Sequence, residues 1–158
     1  MLLCHKFAVK LDSFTSTIGV YSLYMDSFFI KLYILLLPVF FGIDLLWLGL
    51  IAKNFYAKHL GYIMSPSPNW FAALLFYLLN ILGIMVFSIL PGYKESSVTK
   101  TLFLGAFYGL CTYATYDLTN LATLNKWPII VTVVDLIWGI CLSSIVAVVG
   151  FYIARAIR

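Results

Sequence analysis

The sequence predicts an all-α fold, a polytopic transmembrane bundle of four helices with both termini on the cytoplasmic side. Three observations carry that prediction. The 158 residues are 63% hydrophobic and only 10% charged, whereas a soluble domain needs about 25% charged residues to face water. Apolar segments recur at lengths near the roughly 20 residues that cross a hydrocarbon core. The basic residues lie more on one side of those segments than on the other.

Residues 1–24 stand apart. Lys6, Lys10 and Asp12 interrupt any apolar run, and no compact apolar core with a small-residue cleavage site marks a signal peptide. Met25 is followed by Asp26-Ser27 and then the first apolar segment. The reading is a poorly structured tail, or residues upstream of the true start, followed by a transmembrane domain over residues 25–158.

The first span covers about residues 30–51, with Lys31 placed to snorkel and Pro38 placed to bend it. Pro66 and Pro68 keep the next loop from becoming helical. The second span covers about residues 70–90 and is expected to end at Pro91-Gly92. The third, about residues 101–124, contains Gly105 and Gly109, a small-xxx-small spacing that lets backbones approach. The fourth covers about residues 128–153, with Pro128 suited to a first helical turn.

Lys31, Lys94, Lys100, Arg155 and Arg158 fall on the side of the termini, against Lys53, Lys58 and Lys126 opposite. The positive-inside rule therefore puts both termini in the cytoplasm. Trp47, Trp70 and Trp127 approach the opposite face, as an aromatic belt would. The net charge of +4 is spread over termini and loops, which suits a lipid bilayer as partner and excludes a nucleic-acid stripe. Cys4, Cys111 and Cys141 form no disulfide or metal spacing and read as core thiols. His59 reads as solvated, and no metal site is expected.

The polar residues are more informative. Asp44, Asp117 and Asp135 each fall roughly 10 Å inside the non-cytoplasmic ends of their spans, at 1.5 Å per residue. Tyr77 lies at the matching depth of the second span, with Asn80 one turn deeper. Tyr113 and Asn120 share a helical face with Asp117, and Thr132 and Gly139 flank Asp135. A lipid-facing acid costs several kcal/mol, so all three should point inward. With no Lys, Arg or His in that layer, some carboxyls hold a proton or a cation is bound. The plainer alternative is that each Asp is a hydrogen-bonding strut between helices.

The segments Asp44 to Tyr56, Tyr113 to Leu124 and Trp127 to Gly139 resemble the bacterial membrane proteins grouped as domain of unknown function 2177. The resemblance runs from about Met25 to the C-terminus. It implies a four-span, multi-pass inner-membrane protein, and no activity.

Two functional classes follow. One binds or transports a small solute, cation or proton, or binds a lipid headgroup, through Asp44, Asp117 and Asp135, with Asn80, Asn120, Tyr113 and Thr132 completing the site. The other is a lipid-modifying enzyme in which one of these acids is the general base and another the general acid. An accessory subunit whose acids only pair helices is the third option, and a homo-oligomer suits so small a bundle. The cytoplasmic halves, such as residues 30–37 and 145–150, look sealed, which favours a site over a through-pore. No glycine-rich phosphate loop, G-x-S-x-G, H-E-x-x-H or C-x-x-C is present, so the sequence names neither reaction nor cofactor. Translation from Met25 would give a native protein whose intact mass lacks residues 1–24; a full-length mass would remove that reading.

Overall fold

The computed structural model describes residues 27–158, so the expectations for residues 1–24 and Cys4 lie outside the described residues. Among those described, every regular element is helical. Five helices follow one another: α1 (Ser27–Ile51), α2 (Lys53–Leu60), α3 (Trp70–Lys94), α4 (Val98–Thr123) and α5 (Ile129–Ala156). Helices α1, α3 and α5 are long and apolar enough to cross a membrane. Helix α4 is 26 residues long but is enriched in Thr and carries Asp117 and Asn120, and it falls outside that group.

Each long helix buries one stripe. On α1, Phe28, Leu32, Leu36 and Phe40 recur every fourth residue and are buried, and Asp44 is the next member of the same stripe. Positions four apart share a helix face, so the apolar packing that fixes α1 also turns Asp44 inward. The core closes against Ile81, Ile84, Met85 and Ile89 of α3 and Leu142, Val146 and Ala147 of α5. Large apolar side chains cover the outside as well: Ile30, Leu50, Phe71, Phe87, Phe103 and Ile129 are exposed. A water-facing surface does not carry such continuous apolar cover.

Two π-helical turns interrupt the α geometry. One, Trp47–Ile51, ends α1, with Ala52 N–H donating to the Trp47 carbonyl. The other, Met85–Ile89, lies within α3. It explains why α3 continues to Lys94 instead of stopping at Pro91-Gly92 as expected. Proline has no N–H and crowds the carbonyl four residues back; the wide turn shifts the preceding pairing, with Leu90 N–H donating to the Met85 carbonyl. The Asn69 and Ser97 side chains cap α3 and α4 by accepting from Ala72 and Lys100 N–H, each at 3.1 Å. Pro128 sits at the N-cap of α5, one position ahead of the first turn.

The closest packing joins α4 to α5. A Cβ added at Gly105 would stand 2.8 Å from the Ala147 Cβ and 2.9 Å from the Ser143 carbonyl oxygen. One added at Gly109 would run into the Gly139 backbone, and one at Gly139 into the Tyr113 ring. Small residues thus let two antiparallel helices meet backbone to backbone. Cys111 and Cys141 are exposed on the outside of this pair, correcting the expectation of core thiols. The intervening stripes carry glycine and alanine, and the thiols fall on the opposite faces.

Gly109→Ala should destabilise the protein by about 1–3 kcal/mol through overpacking against immobile backbone. Gly42→Ala, with nothing within 4 Å of the new methyl, should be neutral or gain the roughly 0.5–1 kcal/mol of helix propensity. Thermal unfolding in detergent distinguishes them, and equal melting temperatures would contradict this packing.

Candidate functional site

Where the N-terminal half of α3 parts from α4 and α5, the bundle leaves a partly open cavity of about 450 Å³. Its wall includes Asp44 of α1, Tyr77 of α3, Tyr113 and Asp117 of α4, and Asp135 and Trp138 of α5. Tyr56 and Leu60 of α2 close one end, and Leu48, Phe76, Thr112 and Tyr116 complete it. All three acids therefore reach one cavity. No Lys, Arg or His side chain lines it.

Local chemistry sets each acid apart. Asp44 accepts from the Trp138 indole N–H at 3.3 Å, and the Tyr77 hydroxyl faces the same carboxyl. The Trp138 ring stacks on Trp47, with centroids 4.3 Å apart and planes 9° from parallel. The Trp47 indole N–H donates in turn to the Tyr56 hydroxyl at 3.4 Å. Tyr56 donates to Asp135 Oδ1 at 2.5 Å. Burial, then the Asp135 hydrogen bond, pushes the Tyr56 hydroxyl above the usual tyrosine range, so it keeps the proton it donates. Asp44 and Asp135 are thus the two ends of one aromatic relay.

Asp117 is the exception. It is fully buried at 0% exposure, and neither carboxyl oxygen has a hydrogen-bond partner. It lies near enough to Asp135 for their charges to interact. The glycine contacts explain the placement. Residues 105, 109 and 113 follow one face of α4, with 117 the next position on it, and meet residues 147, 143 and 139 of α5 in reverse order. With Gly109 against Gly139 and Tyr113 on Gly139, the next turn brings Asp117 level with Asp135.

Of the residues expected to form a site, Asp44, Tyr113, Asp117 and Asp135 line the cavity, whereas Asn80, Asn120 and Thr132 do not. Asn80 is buried deeper, with its amide nitrogen unpartnered and its backbone carbonyl accepting from Tyr108 at 3.5 Å. The Asn120 amide nitrogen is also buried without a partner. Thr132 instead accepts from the Trp127 indole at 3.0 Å. That bond holds Trp127 buried, unlike the belt position expected for it, while Trp70 is exposed as a belt residue would be. His59 rests on Phe55, with its Nδ1 paired to the Phe55 carbonyl at 2.9 Å.

Tyr56, Tyr77, Tyr116 and Trp138 are cavity residues that the sequence reading left out of the site. Tyr56 was hidden because α2 was not expected. Its signal was the pair Tyr56 and Leu60, four apart and both turned to the cavity.

Tyr56→Phe keeps the ring and removes the Asp135 hydrogen bond. It should cost about 1–3 kcal/mol, read as a lower melting temperature in detergent, while Tyr152→Phe on the exposed face of α5 should cost nothing measurable.

No curated protein and no solved structure matches the chain. The family model described as predicted membrane protein (DUF2177) matches residues 29–152, which takes in every residue of the cavity wall. The chain belongs to this family of membrane proteins.

Proposed function

We propose that this protein is a four-span inner-membrane binding protein whose cavity takes a small, positively charged solute or headgroup from the non-cytoplasmic side. The observation that carries the reading is the Asp117 carboxyl, buried beside Asp135 with no donor from the protein. An unpaired acid away from water is costly unless it holds a proton or a cation, and such residues inside membranes commonly mark ligand or ion sites.

Helix α4 serves as the remaining span. Its polarity is largely neutralised within the helix: Thr115, Thr119 and Thr123 each donate to the carbonyl four residues back, at 2.7, 2.5 and 2.7 Å. Hydroxyls bonded in this way cost little against lipid. Lys94, Lys100, Arg155 and Arg158 gather at the end away from the cavity, so the positive-inside rule sets both termini in the cytoplasm and the cavity near the other face.

The test is to extract wild type and the Asp44/Asp117/Asp135→Asn variant from native membranes and identify what each carries by native mass spectrometry. Wild type should retain a basic small molecule or lipid that the variant lacks. Identical bound species in both would overturn the reading.

A further inference from the structure

We infer that the ligand is an organic ammonium with an apolar body, its charged nitrogen at Asp117 and its carbon surface against the aromatic wall. This rests on the cation-binding reading above and specifies the class of cation.

The acids do not form a chelating set. Among the described residues, no three His, Cys, Asp or Glu side chains are grouped so as to hold a metal ion. Asp44 and Asp135 are already engaged by Trp138 and Tyr56, which leaves one carboxyl without donors. One unpaired carboxyl suits one ammonium. An inner-sphere divalent site would need several converging oxygens.

Apart from Thr112, the rest of the wall is aromatic and apolar, with Tyr77, Tyr113, Tyr116, Trp138, Phe76 and Leu60 among its residues. Ring faces attract a cation within about 6 Å, and they do so most strongly when water is excluded. A metal ion keeps its water or demands oxygen ligands, and these rings offer it little. The volume of about 450 Å³ lies within the roughly 300–1,000 Å³ of small-molecule sites. Phe76 and Tyr116, half or more exposed at 51% and 61%, stand on α3 and α4 where those helices part, a side opening through which an amphiphilic amine would enter.

The full-length protein in phosphatidylglycerol nanodiscs, which contain no amine, provides the test by calorimetric titration against empty discs. Benzyltrimethylammonium should bind about tenfold more tightly than tetramethylammonium. Choline should bind about tenfold more tightly than its neutral isostere 3,3-dimethylbutanol. Asp117→Asn should weaken benzyltrimethylammonium about tenfold, and Tyr116→Leu, on the exposed rim, about threefold. Should Asp117→Asn not fold, the Tyr116→Leu shift and the isostere comparison still decide.

Binding of Ca²⁺ or Mg²⁺ with no binding of any ammonium would overturn this inference while leaving a cation site. Equal binding of choline and the neutral isostere, or no binding of any cation, would overturn both. Replacing half of the lipid with phosphatidylethanolamine separates the sources. Competition with benzyltrimethylammonium supports the inference with a lipid headgroup as ligand, and undiminished binding supports it with a free amine.

Discussion

The contact on which the rest depends is the glycine-lined seam between α4 and α5. Gly105, Gly109 and Gly139 allow a backbone approach that any side chain would block. In a bilayer, helices are not driven together by exclusion from water, because lipid tails are as apolar as leucine. Close packing has to hold them, and close packing also fixes register. Sliding α4 by one turn, about 5.4 Å, would set Tyr113 against a side chain in place of Gly139. The seam therefore stabilises the pair and, in the same contact, places Asp117 level with Asp135.

A register this strict makes room elsewhere. Helix α3 packs on the α4–α5 pair through its Met85–Ile89 turn, where Ile89 fills the space left by Gly150, and its N-terminal half leans away. The π turn that re-pairs the helix ahead of Pro91 thus sits at the pivot of that divergence. The second π turn, Trp47–Ile51, brings Trp47 onto Trp138 and Leu48 to the cavity. Wide turns of this kind are often found at functional sites, and both of these shape one cavity.

Much of this was legible in the sequence. The helix-rich membrane class and the location of the long helices followed from hydropathy, and the 1.5 Å rise singled out Asp44, Asp117 and Asp135, which line one cavity. Tyr113 followed from its spacing of four to Asp117. What stayed hidden required knowledge of neighbours. Nothing local to Pro91 announces a π turn, so the helix end was set four residues early. Thr132 has the right face for the cavity, and only its partner Trp127, folded back from the turn, takes it out. Asn80 lies on the buried stripe of α3 but a turn below the cavity floor. Cys111 and Cys141 read as core residues because apolar periodicity has no inside when the solvent is lipid.

The same ambiguity explains why the acids carried the information that hydropathy did not. In water, an apolar stripe marks the inward face of a helix; here apolar residues cover both faces, as Phe87 and Ile89 on α3 show, one exposed and one buried. Only a residue that lipid cannot tolerate fixes which way a helix is turned. Three such residues on three helices orient most of the bundle, and their burial is offset unevenly. Trp138, Tyr77 and Tyr56 attend to two of them, while the third is held in place by glycine contacts that gain nothing from its charge. A fold built by packing alone could replace Asp117 with leucine or asparagine at no loss to the seam. Asp117 has no donor from the protein, so helix pairing through hydrogen bonds does not account for it: a strut without a partner supports nothing.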